Sequence, residues 1–238
     1  MSNPEGTSQP LTPSLTFLDG AEQISFEASF LRRNGDTDWR VNNSSIRNYF
    51  ADVIFPGLDK APFDAIVERL GTQGTCIAMD LAGGSQGRAI RDLIEMGIIG
   101  KGLFTNYEDR RLPNVRAQTE LGHVAGDLTK IETWQEIIEW VNKNAPEGLD
   151  LILHRPFGAL QYLTAEYYYG ALSALLGLLK SGGVMFCQIP YSLMTVRYFE
   201  GLKEVGASLN ENPEIELATV ARSSDFDDCS HALIYKAQ

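Results

Sequence analysis

The chain has 238 residues, 44% hydrophobic and 21% charged, an ordinary globular composition and enough length for one large domain with a complete core. Its formal net charge of −11 opposes tight non-specific binding to nucleic acid, because phosphate contacts need clustered Lys and Arg. No apolar run approaches the roughly 20 residues of a membrane span, and the three cysteines, Cys76, Cys187 and Cys229, suit neither a disulfide framework nor a metal site.

Met1 to Ser14 is polar and rich in Pro, Ser and Thr, without the basic and apolar regions of a signal peptide. Residues 1–23 read as a disordered leader, and the lack of a targeting signal favours the cytoplasm. Residues 24–71 read as an N-terminal helical cap. There Ser45 caps a helix with Ile46, Tyr49, Phe50 and Val53 on one face, stopped by Pro56-Gly57. Pro62 sits in the first turn of a second helix, where Phe63, Ile66, Val67 and Leu70 recur at helical spacing before Gly71. Such a segment packs on the face of a sheet or over the mouth of a site. Trp39-Arg40-Val41-Asn42-Asn43 is either a ligand-binding part of it or a surface loop.

Residues 72–238 alternate strands and helices. Thr75-Cys-Ile-Ala-Met-Asp-Leu-Ala-Gly-Gly-Ser-Gln-Gly-Arg-Ala-Ile90 holds a buried strand ending at Asp80, a small-residue turn, and a helix to Met96. That geometry brings backbone N–H groups to a ligand at a helix N-terminus. The acid at the strand's end repels a pyrophosphate and suits a cationic amine. Gly102 to Asn106 reads as a second strand; in nucleotide-binding α/β folds its end offers a carboxylate to ribose hydroxyls. Here Asn106 substitutes or Glu108 reaches back, with Tyr107 beside the base.

His123-Val-Ala-Gly-Asp127-Leu128 reads as a third strand ending in an acid, followed by a helix that Thr133-Trp-Gln-Glu136 opens as a capping box. The fourth strand, Leu149 to Leu153, runs into His154-Arg155-Pro-Phe, facing the crevice of a doubly wound sheet. His154 is a general base or a satisfied structural histidine; His123 and His231 read as structural. Thr164 to Lys180 is a helix with Tyr168, Leu172, Leu175, Leu176 and Leu179 on its buried face. Tyr162, Tyr167, Tyr168 and Tyr169 lie near the mouth, as pocket wall or core. After Ser181-Gly182-Gly183 come a fifth strand (Val184 to Ile189), a helix (Leu193 to Val205) and two late strands (Glu214 to Ala221, His231 to Lys236) around the acidic loop Asp225 to Asp228.

Asp80-Leu-Ala-Gly-Gly-Ser resembles the first motif of the class I S-adenosylmethionine-dependent methyltransferases, departing at Gln86, where a third glycine is common. The ordered series Asp80 motif, Gly126-Asp127-Leu128, Asp150-Leu-Ile-Leu-His154, Gly182-Gly183-Val184 and two terminal strands extends the resemblance from Gly74 to Lys236. It implies a Rossmann-like doubly wound sheet of about seven strands, the last antiparallel, with helices on both faces. It further implies S-adenosylmethionine as cofactor, with no metal, and methyl transfer to a small-molecule acceptor. Asp80, Leu81, Ala82, Gly83, Gly84 and Ser85 would hold its amino-acid end, Asn106, Tyr107 or Glu108 the ribose side, and Asp127 and Leu128 the adenine. His154 would also touch the cofactor, and His154 and Arg155 would serve the acceptor. His154-Arg155-Pro156-Phe157 lacks the Asn or Asp that amino-group methylation of bases uses there. A homodimer is allowed, and nucleic-acid and membrane partners are disfavoured. The other readings are an inactive S-adenosylmethionine-binding regulator, an RNA methyltransferase and an NAD-dependent oxidoreductase. The last is opposed by Asp80 and by the missing G-x-G-x-x-G spacing.

Overall fold

The computed structural model describes residues 9–19, 46, 50, 61–71, 74–154, 165–190, 213–216 and 229–237. In chain order these form a 3-10 turn (Thr16–Leu18), α1 (Pro62–Leu70), β1 (Cys76–Leu81), α2 (Arg88–Glu95), β2 (Ile99–Asn106) and α3 (Pro113–Arg116). There follow β3 (Leu121–Ala125), α4 (Ile131–Asn144), β4 (Leu149–His154), α5 (Ala165–Leu178), β5 (Leu179–Pro190), β6 (Pro213–Glu216) and β7 (Cys229–Lys236).

The strands make one seven-stranded sheet in the order β3-β2-β1-β4-β5-β7-β6. Neighbours from β3 through β5 are parallel, and β7 runs antiparallel to both β5 and β6. The strand order reverses between β1 and β4, so the crevice of this doubly wound sheet lies beyond their carboxyl ends. Both strands are buried on two faces, which is why they read as continuous apolar runs rather than alternating ones. One core packs Met79, Leu81, Ile152, Met185 and Cys187 against α4 and α5. The other packs Ala78, Phe104, Leu153 and Phe186 against α1, α2, Ile46 and Phe50.

The cap segment covers this second face. Proline opens α1 and Gly71, at φ 73°, closes it, as proline's fixed φ and glycine's left-handed freedom dictate. Phe63 and Ile66 are buried, and Phe50 meets Phe186 edge-to-face with centroids 4.4 Å apart. Arg69 donates from Nε to the Gly182 carbonyl at 2.9 Å and lies over the Tyr235 ring. Ile46 and Phe50 are helical; Ser45, Tyr49, Val53 and Trp39 to Asn43 lie outside the described residues.

Residues 9–19 fall within the expected disordered leader, yet they are docked on α4 and α5. Asn142 clamps Leu11, accepting its N–H at 2.7 Å and donating to its carbonyl at 3.0 Å. Leu18 is buried, and Leu11, Leu15 and Phe17 pack against the first core. Four apolar side chains within eleven residues offset the ordering cost that a Pro/Ser/Thr-rich composition suggested would prevail.

Other boundaries move for local reasons. β2 starts at Ile99, before the expected Gly102, because Ile99 pairs with Cys76. α4 begins at Ile131, so Thr133 is an interior, buried helix residue and not a cap; Asp127 organises the preceding turn instead. β5 starts at Leu179, five residues early. Its register jumps from Leu149↔Leu179 to Leu151↔Val184, so the Ser181-Gly182-Gly183 turn is a bulge inside the strand. The buried Lys236 ammonium closes the end of α5 by donating to the Leu176 and Leu179 carbonyls, a cation satisfying terminal acceptors. The expected helix at Leu193 to Val205, the residues of β6 beyond Glu216, and the acidic loop lie outside the described residues.

The cap is tied to α2 by the buried Asp92, whose carboxylate accepts the Ile46 N–H at 2.8 Å and Arg88 Nε at 2.7 Å. Asp92→Ala leaves that buried N–H unpaired. It should lower stability in urea titration by about 1–3 kcal/mol, the usual cost of an orphaned buried donor.

Candidate active site

The first three elements of the site meet where β1 turns into α2. Ala82 takes the left-handed conformation at φ 63°, unusual for a residue with a Cβ. Thr105 of β2 holds it there: its hydroxyl accepts the Ala82 N–H at 2.9 Å and its carbonyl the Gly83 N–H at 3.0 Å. Of the turn residues expected to hold a ligand, Ala82 and Gly83 therefore have their amides committed to β2. Those of Gly84 and Ser85 meet no acceptor among the described residues. Gly87, at φ 53°, caps α2, and a Cβ there would lie 2.5 Å from the Phe104 ring.

Asp80 sits under this turn, 2% exposed, and its Oδ1 meets no partner among the described residues. A Cβ on Gly83 would fall 2.3 Å from Asp80 Oδ2, so the second position of the turn must be glycine for the carboxyl to fit. Burial pushes the Asp80 carboxyl up to about 8, because removing a carboxylate from water penalises its charged form.

Gln86, the departure from the usual motif, has a job of its own. Its Nε2 donates to the Arg110 carbonyl at 2.9 Å and its Oε1 accepts the Leu112 N–H at 3.0 Å. This pins the 107–112 loop beside the turn. Within that loop Glu108 pairs with Arg110 at 2.9 Å and does not reach back to the end of β2. Arg111 holds the Asp109 carboxyl well below the usual carboxylate range. Tyr107 is exposed.

Asn106 keeps the position at the end of β2. Its Oδ1 lies 2.7 Å from His123 Nε2, so that nitrogen donates. Burial, reinforced by Arg111, pushes His123 down to about 4 and keeps the ring neutral. The expected structural role of His123 is thus to orient Asn106, leaving the amide nitrogen for other contacts.

Asp127 Oδ1 accepts the Thr129 N–H at 2.9 Å and the Thr129 hydroxyl at 2.8 Å, an Asx turn that fixes the carboxylate after β3. The next carbonyl, that of Leu128, accepts both Trp134 Nε1–H at 2.8 Å and the Tyr167 hydroxyl at 2.5 Å. Burial holds the Tyr167 phenol above its usual range, so it remains a donor. Thr105, Gln86, Trp134 and Tyr167 are the residues that sequence reading missed in this role.

His154 ends β4 opposite Leu81. It is 1% exposed, neither ring nitrogen meets a partner among the described residues, and its ring lies 5.4 Å from that of Tyr168. Burial alone pushes it down to about 3. Side chains alternate along strands, so His154 shares the α5 face with Leu81 and Cys187, while Asp80 shares the α2 face with Phe104 and Leu153. Both stand at the carboxyl edge of the sheet but on opposite sides of it. Arg155, Phe157 and Tyr162 lie outside the described residues. Tyr168 is core, as expected, and Tyr169 is half-buried. Among the described residues no His, Cys, Asp and Glu cluster could hold a metal ion, and no helix is long and apolar enough to cross a membrane.

No family model matches the chain, and no curated protein sequence matches it. Many solved structures resemble it distantly. A TehB-like SAM-dependent methyltransferase from Corynebacterium glutamicum is 19% identical, covering 80% of this chain and 93% of its own, with a TM-score of 0.46. The N-methyltransferase NodS from Bradyrhizobium japonicum is 14% identical over 76% of this chain and 100% of its own, at 0.42. SMU.776, complexed with SAH, is 13% identical over 72% of this chain and 48% of its own, at 0.48.

A test of the buried carboxyl follows from linkage. The folded protein keeps the Asp80 proton up to about pH 8, whereas the unfolded chain releases it near about pH 4. The stability gained from that proton is full below the lower value and falls as pH rises, by at most about 1.4 kcal/mol per unit. Asp80→Asn has no such proton. Its melting temperature relative to the unaltered protein should climb between about pH 5 and about pH 8; a constant difference would mean the carboxyl is solvated or paired. The chain has the Rossmann-like doubly wound fold, with its antiparallel last strand, that the resemblance to class I S-adenosylmethionine-dependent methyltransferases implied.

Proposed function

We propose that the protein transfers a methyl group from S-adenosylmethionine to a small-molecule acceptor bearing an oxygen or nitrogen nucleophile. The observation that carries this reading is Asp80: a buried carboxyl with an unpartnered oxygen, lying under a glycine turn whose Gly84 and Ser85 amides are unpartnered among the described residues. A zwitterionic amino-acid group matches that pair of features, its ammonium suited to the carboxylate and its carboxylate to the open amides of the turn. A pyrophosphate does not: it offers no cation to Asp80 and would meet like charge once that carboxyl ionises, which weighs against the nicotinamide reading.

When bound, the cofactor supplies a methyl group already activated on a sulfonium. The chain's own part is alignment, because in-line attack needs the two reactants held close and correctly oriented. Asn106, fixed by His123, would bond the ribose. Asp127 would accept the adenine amino group, with the Leu128 N–H meeting a ring nitrogen and Tyr107 lying beside the base. His154 and Arg155 are assigned to the acceptor side. A histidine held near about 3 is a weak proton acceptor. The reading therefore favours an acceptor that is nucleophilic without prior deprotonation, with His154 orienting it through one ring nitrogen.

The test is calorimetric titration with S-adenosylmethionine, S-adenosylhomocysteine and NADH. The expected result is binding of both adenosyl ligands and none of NADH. Affinity should rise from about pH 6 to about pH 8, by at most about tenfold per unit, as Asp80 gives up its proton. Asp80→Asn should weaken binding by about 10- to 100-fold, the worth of a hydrogen bond to a charged group, and flatten that dependence. Folded protein that binds neither adenosyl ligand would overturn the reading.

A further inference from the structure

We infer that Phe17 is a positioning residue for the Asp127–Lys130 loop, so that the docked N-terminal strap sets the adenine side of the site; that side's ligand rests on the function proposed above. Phe17 is inserted between the two aromatic residues that hold this loop. Its ring meets Trp134 and Tyr167 edge-to-face, each with centroids 5.2 Å apart. Those same two residues donate to the Leu128 carbonyl, and Leu128 directly follows Asp127. One apolar ring thus fixes the rotamers of both donors that anchor the loop's backbone.

The receiving surface is built for the strap. A Cβ on Gly170 would lie 2.0 Å from Phe17 Cβ, and one on Gly177 would lie 3.2 Å from Pro13. Gly170 in the interior of α5, which weakens the helix relative to alanine, and Gly177 in its last turn therefore face the strap, and Gly170 leaves the room Phe17 occupies. Asn142 fixes the strap's other end by both polar groups of Leu11. Edge-to-face aromatic contacts are directional, so removing the Phe17 ring frees Trp134 and Tyr167 to turn and loosens their grip on Leu128.

Phe17→Ala and Gly170→Ala remove the contact in different ways, the second leaving all three rings intact and displacing the strap sterically. Hydrogen exchange of the Thr129 and Lys130 amides, which bond to Asp127, should quicken about tenfold in both variants, with β1 and β4 amides unchanged. Titration with S-adenosylhomocysteine then forms a double-mutant cycle. Phe17→Ala and Asp127→Ala should each weaken binding about tenfold, and together no more than Asp127→Ala alone. Unchanged exchange at those two amides, or additive losses in the cycle, would overturn the inference. Accelerated exchange in a protein that never binds the adenosyl ligand would refute the proposed function while leaving the mechanical link standing.

Discussion

The site depends first on Thr105. One residue of β2 offers two acceptors, a hydroxyl and a carbonyl, to consecutive amides of the turn after β1. That pairing holds Ala82 in a conformation its Cβ disfavours by roughly 1–2 kcal/mol, and it lets the chain fold back over Asp80 instead of running on as a strand. With the turn fixed, Gly83 can lie against the carboxyl, Gly87 can start α2, and Gln86 is aimed at the neighbouring loop. Without it the acid would reach water and lose the burial that raises its proton affinity. The strained turn and the unpartnered carboxyl oxygen form a single constraint, held by a neighbouring strand.

The other half of the crevice is organised on the same plan, with a backbone oxygen as the fixed point. The Leu128 carbonyl gathers one donor from α4 and one from α5, so two helices that cover the same face converge on one loop. The 107–112 loop is held comparably by Gln86. In each case a polar side chain on regular structure secures the backbone of an irregular segment. Such segments then bring groups to a ligand with little conformational freedom left to lose.

How much of this was legible varies with the range of the interaction. β1, β4 and α1 could be read because their signals are local: unbroken apolar runs for strands buried on both faces, and proline and glycine at the ends of a helix. The Asp80 turn was visible for the same reason. Thr105 was not, since nothing in Gly102 to Asn106 says that its hydroxyl faces an amide 23 residues earlier. The strap was misjudged because its composition is that of a linker, and its value lies in four apolar side chains whose partners are more than a hundred residues away. The capping box at Thr133 failed through competition: Asp127 already forms the turn, and the helix starts two residues before the threonine.

The placement of Asp80 and His154 on opposite faces of the sheet's carboxyl edge divides the site in two. On the proposed reading, the group that attracts the charged tail of the cofactor is served by α1, α2 and the cap, while the group nearest the acceptor is served by α5. The sheet is a wall between two workshops. On that reading, changes around His154 can reshape what is admitted on one side while Asp80 and its turn stay as they are, so a single scaffold can keep its methyl supply and trade its clientele.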